Sequence, residues 1–126
     1  MHRLPTALLL HRTAAGSHYD WLIADPCEPG GRLWTARVGL PSRGWLAAGA
    51  FELVSIAAHR RAYLCYEGPV PGGRGTVRRV DEGFVLPRLW RAGRIVLELE
   101  MRRVRGRAEL RAIGPGRWRG HVAPAC

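Results

Sequence analysis

Apolar and polar positions along this chain alternate in short stretches separated by Gly- and Pro-rich breaks. The clearest is Arg94 to Arg102, where Ile95, Leu97, Leu99 and Met101 alternate with Val96, Glu98, Glu100 and Arg102. A period of two puts one set on each face of a β-strand. Similar strands are predicted over residues 6–11, 18–24, 32–38, 107–113 and around Trp118 to Val122. Arg74 to Val80 reads as a basic strand, and Asp81-Glu82-Gly83 as a turn into Phe84-Val85-Leu86. Phe51 to Ala58 is apolar and undecided between strand and helix, because a short apolar run fits both. The Ala14-Ala15-Gly16-Ser17 turn makes the first two strands a hairpin, with His11 beside His18. Many short strands and no long amphipathic helix predict a mainly all-β fold, an antiparallel barrel or sandwich with few or short helices.

A length of 126 residues predicts a single domain, 1–126, able to bury a core without disulfide staples. Composition changes the picture mainly through charge. There are 20 basic residues against 10 acidic, giving a net charge of +10, and every basic residue is Arg. Lys, Asn and Gln are missing altogether, the bias of a GC-rich genome, so no chemistry is read into Arg over Lys. An excess of this size favours polyanions such as nucleic acid, or is simply a solvated basic surface. Cys27, Cys65 and Cys126 are odd in number and widely spaced, which fits a reducing cytoplasm better than a disulfide framework. The apolar run Leu8-Leu9-Leu10 meets His11-Arg12 at once, too short for a signal core or a bilayer span. A soluble, cytoplasmic protein with no membrane partner is expected.

Two clusters carry candidate chemistry. In a strand, His18 and Asp20 share one face while Tyr19 and Trp21 take the other. With His11 from the neighbouring strand they offer two imidazoles and a carboxylate, a set that suits zinc, manganese or iron and leaves positions open for water and substrate. The bland alternative is a hydrogen-bonded surface pair. The second cluster is the irregular run from His59 to Gly75, with His59, Tyr63 and several arginines in a Gly/Pro-shaped loop. Histidine there offers proton transfer or a charged donor to phosphate, or only packs the loop. His121 reads as an exposed strand residue rather than a fourth ligand. Gly72-Gly73-Arg74-Gly75 reads as a tight turn, and Trp34, Trp45, Trp90 and Trp118 as core or rim packing.

Taken together, His11, His18-Tyr19-Asp20, His59-x-x-x-Tyr63-x-x-Tyr66-Glu67-Gly68, Val70-Pro71 and Gly75-Thr76-Val77 resemble the 3′-phosphoesterase domain of bacterial DNA ligase D over nearly the whole chain. That domain heals ends in non-homologous end joining and also occurs alone. The resemblance implies a small antiparallel β-barrel with a concave active-site face. It implies a divalent metal, typically Mn2+ with Zn2+ or another transition metal as alternatives, held by His11, His18 and Asp20. His59 and Tyr63 would contact the phosphate opposite the metal. The implied activity is removal of a 3′-phosphate or 3′-ribonucleotide in DNA repair. The implied partners are a DNA 3′ end or primer-template and a separate ligase or polymerase.

Departures accompany the match. The step of seven from His11 to His18 is one longer than the family pattern, and Leu22, Val38 and Phe51 stand where basic residues are expected. Arg12, Arg37, Arg60, Arg61 and Arg74 are the candidate replacements for phosphate or nucleic-acid binding. Besides a phosphoesterase, the sequence therefore admits an arginine-rich nucleic-acid-binding barrel with a degenerate site, or a barrel acting on a phosphorylated small molecule.

Overall fold

The computed structural model describes residues 2–125. Nine strands are formed: β1 (Leu4–Thr13), β2 (Gly16–Ala24), β3 (Leu33–Val38), β4 (Ala50–His59), β5 (Gly68–Pro69), β6 (Thr76–Arg91), β7 (Arg94–Met101), β8 (Arg105–Gly114) and β9 (Arg117–Ala123). A single short helix, α1 (Trp45–Ala48), lies between β3 and β4. Eight strands close an antiparallel barrel in the order β1-β2-β3-β4-β9-β8-β7-β6, with β6 returning to β1 and β5 added beside β6. The expectation of a small antiparallel barrel holds, and the sandwich is excluded.

Closure depends on β6, and here the sequence expectation is corrected. Asp81-Glu82-Gly83 is not a turn between two strands, because β6 runs unbroken for 16 residues. Its first part pairs with β1 and its second with β7. The two pairings overlap at residues 83–85, one on each edge of β6, and the β1 side carries a bulge: Leu8 faces Asp81 while the next residue, Leu9, faces Arg79. A bulge and a glycine bend a strand with the same residues that elsewhere make a turn. Gly83 is needed for that bend. It sits at φ +154°, and a Cβ there would lie 2.1 Å from the Glu100 carbonyl oxygen. The undecided run Phe51 to Ala58 is strand, since β4 must present its backbone to both β3 and β9.

The barrel interior is filled by side chains, including Leu8, Trp21, Ile23, Val85, Leu97, Leu99 and Leu110. At one end α1 plugs the barrel with Trp45, which is fully buried and lies 4.7 Å from the Trp21 ring. Its indole N–H donates to the Leu40 carbonyl at 2.8 Å. Truncating so buried an indole costs about 3–5 kcal/mol. Trp34, Trp90 and Trp118 meet edge to face at the other end, where they pack against the core.

A smaller apolar cluster lies on the outer face of the same wall. Leu9, Leu22, Ala24, Leu33 and Val77 are covered there by Tyr63, Leu64 and Val70 of the segment 60–75. Glu67 and Arg79 tie that segment down. Glu67 Oε2 accepts the Arg79 backbone N–H at 2.9 Å, and Arg79 Nη1 donates to the Leu64 carbonyl at 2.9 Å.

Candidate metal centre

The β1–β2 hairpin pairs His11 with His18 and Leu9 with Asp20. Directly opposed residues of an antiparallel pair point to the same side. With Leu8, Trp21 and Ile23 turned into the barrel, His11, His18 and Asp20 are all on the outer face beside Leu9 and Leu22. The hairpin turn at Ala14-Ala15 absorbs the longer His11-to-His18 step. The Thr13 hydroxyl braces it, accepting the Ala15 N–H at 3.2 Å and donating to the Gly16 carbonyl at 3.0 Å.

Asp20 is the centre of the group and is 1% exposed. Its Oδ2 lies 3.5 Å from His11 Nδ1 and 3.8 Å from His59 Nε2, and its Oδ1 lies 3.2 Å from His18 Nε2. Potential ligand atoms of His11, His18 and Asp20 all fall within 4.8 Å of one another. Three imidazoles thus surround one carboxylate, His11 and His18 from the hairpin and His59 from the end of β4. The His59 ring is braced in turn by the Tyr63 ring, edge to face at 5.6 Å.

Hydrogen bonds fix which nitrogens face inward. His11 Nε2–H donates to the Arg74 carbonyl at 2.7 Å, and His59 Nδ1–H donates to the Ala57 carbonyl at 3.0 Å. In a neutral imidazole the other nitrogen then carries a lone pair, directed in both rings at the carboxylate. His18 Nε2 and Asp20 Oδ1 are buried and have no hydrogen-bond partner; their 3.2 Å approach lacks hydrogen-bond geometry. Lone pairs gathered on a buried anion can hold a cation between them, and a backbone carbonyl behind the ring is the usual support of a metal-ligating histidine. The residues present fit a divalent metal.

Charge around the cluster separates the imidazoles. Burial lowers the pKa of His18, helped by Arg37 and His11 and opposed by Asp20. The Asp20 carboxylate raises the pKa of His59 above the ordinary imidazole value, against the effect of burial. His18 is therefore the neutral ligand type and His59 the one that readily carries a proton.

An open groove of about 540 Å3 runs beside the cluster, lined by His11, His18, Arg37 and Arg74 together with the hairpin turn. Of the five candidate arginines, the fold brings these two to the site. Arg37 is the β3 partner of Asp20 and faces the same side. Arg12 alternates to the opposite face from His11, and Arg60 and Arg61 are exposed at the start of the covering segment, outside this groove. These three do not line the groove, because of strand alternation in one case and loop path in the others.

The three missing cations have packing reasons. Leu22 belongs to the outer apolar cluster, Val38 to the barrel core, and Phe51 stacks on Trp45 at 5.4 Å. His121 is exposed on β9 and bonds the Gly49 carbonyl, apart from the cluster. Arg79, which no sequence signal singled out, holds the covering segment in place. Cys27 and Cys65 are exposed free thiols, and Cys126 lies outside the described residues.

Comparison of the chain with models of known protein families and with characterised proteins gives no match. Among the described residues, no helix is long and apolar enough to cross a membrane.

Proposed function

We propose that this barrel is a metal-dependent phosphoesterase acting on 3′ ends of nucleic acid. The observation that carries the reading is the set of three imidazoles around the buried Asp20, two of whose polar atoms have no partner within the chain. His11, His18 and Asp20 would hold a divalent metal, Mn2+ by the resemblance of these residues to the DNA ligase D domain, and it would supply Lewis-acid polarisation of a phosphoryl oxygen. Arg37 and Arg74 attract the phosphate into the groove, and Tyr63 orients His59. Protonated His59, its Nε2–H turned to Asp20 and its Nδ1–H to the Ala57 carbonyl, adds positive charge beside the site rather than a free donor. An open groove suits a polymer end better than an enclosed small molecule.

The test is a manganese-dependent assay on a primer-template with a 3′-phosphate. The expected product has a 3′-hydroxyl, is lost with chelator, and is lost in His18→Ala. Absence of product from the wild-type chain, or equal product from His18→Ala, refutes the proposal.

A second reading is favoured by Leu22, Val38 and Phe51, which give packing where the family pattern has positive charge. In it the barrel binds nucleic acid through its arginines and the site is degenerate. It predicts salt-sensitive binding that chelator leaves unchanged, with no hydrolysis.

A further inference from the structure

The β1–β2 hairpin has a second face. Leu10 and Tyr19 alternate away from the His/Asp cluster and line a cavity of about 470 Å3 at the barrel end beside α1. Arg43, Arg78, Arg79 and Arg103 surround it, against one carboxylate, Glu67. Glu67 is engaged with the Arg79 backbone, and Arg79 itself pairs with Glu82 at 3.1 Å. Among the described residues, Arg43, Arg78 and Arg103 have no carboxylate partner at ion-pair distance.

These charges are mounted on a braced frame. Asp81, 3% exposed, accepts the Ser42 hydroxyl at 2.5 Å and the Arg103 backbone N–H at 3.2 and 3.3 Å. One buried carboxylate thereby pins both turns that carry Arg43 and Arg103, while Arg78 is fixed by its place in β6 opposite Leu10. Its oxygens are occupied by these turns and by the Glu82 N–H, 2.7 Å away. The guanidinium groups are left for an external anion.

We propose that this cavity is a second, metal-independent site that grips the phosphodiester backbone of a single-stranded nucleic acid through Arg43, Arg78 and Arg103. Three cations carried on three separate segments match a run of phosphates better than one. Guanidinium forks suit phosphate oxygens geometrically. The choice of nucleic acid rests on the function proposed above; the anion site itself does not.

The experiment is fluorescence anisotropy of the full chain with a short 5′-labelled single-stranded DNA ending in a 3′-hydroxyl, in EDTA so that the metal centre takes no part. Arg43→Ala/Arg78→Ala/Arg103→Ala is expected to weaken binding at least ~10-fold and to flatten the log K against log salt slope by about 2, near 0.7 for each lost contact. Arg91→Ala/Arg107→Ala/Arg119→Ala removes equal charge from exposed arginines elsewhere on the barrel and is expected to stay within about twofold. Equal loss from both triple variants, or none from the first, overturns the site. Displacement by a nucleoside monophosphate at matched phosphate concentration overturns the assignment to a strand. Hydrolysis is not read in this measurement, so failure of the metal-centre proposal and failure of this one are separable.

Discussion

Substituting His18 by alanine isolates the proposed metal centre, because the proposal predicts different consequences with and without metal. In chelator the change is nearly neutral. The ring loses its edge contact with His11, centroids 4.8 Å apart, worth about 0.5–1.5 kcal/mol. Its buried, unpartnered Nε2 is removed at the same time, relieving about 1–3 kcal/mol. These offset to within about 1 kcal/mol, or roughly 4 °C for a domain of this size. With Mn2+ at a hundred times its Kd, the wild-type chain gains about 2.7 kcal/mol, roughly 10 °C in Tm. Loss of a direct ligand weakens affinity at least as much as loss of its support, about 100-fold, so at the same metal concentration the variant gains only about 0.4 kcal/mol. Thermal melts followed by circular dichroism, with Mn2+ and with EDTA, measure all four states. An equal metal-induced rise in wild type and His18→Ala would falsify the assignment of His18 as a ligand, and no rise in the wild type removes the metal altogether.

Two further outcomes concern His59 and Gly83. In chelator, His59 has a raised folded-state pKa, so its contribution to stability is full below the unfolded value of about 6.5 and is lost as pH rises through the folded value. His59→Gln should therefore cost more stability at about pH 5.5 than at about pH 9 in urea titrations; an equal cost at both contradicts the Asp20–His59 interaction. Gly83→Ala should cost at least about 3 kcal/mol, because its Cβ meets backbone of β7 at 2.1 Å, whereas Gly39→Ala, with nothing within 4 Å, should stay within about 0.5 kcal/mol. Equal melting temperatures for the two variants would show that β6 does not bend at Gly83.

Much of the local structure was legible along the chain. Alternation in Arg94 to Arg102 placed Ile95, Leu97, Leu99 and Met101 on one face, and all four are buried. His18 and Asp20 share a side because strand geometry allows nothing else, and the hairpin turn puts His11 across from His18. A turn and a bulged strand, by contrast, use the same residues. Asp81-Glu82-Gly83 is mid-strand because β6 pairs with β1 through Val85 and with β7 from Gly83 onward as the barrel closes, a demand no local signal carries.

Sequence alone determined the strand alternation, the hairpin register, the excess of arginine and the pairing of His18 with Asp20 on one face, since each depends on residues a few positions apart. Tertiary structure decided that His59, from the far end of β4, meets the same carboxylate, that Arg37 and Arg74 rather than Arg12, Arg60 or Arg61 line its groove, and that Asp81 is buried beneath a separate basic cavity. Those neighbours are brought together by barrel closure and by the path of a covering loop, and both are settled by the packing of the whole chain.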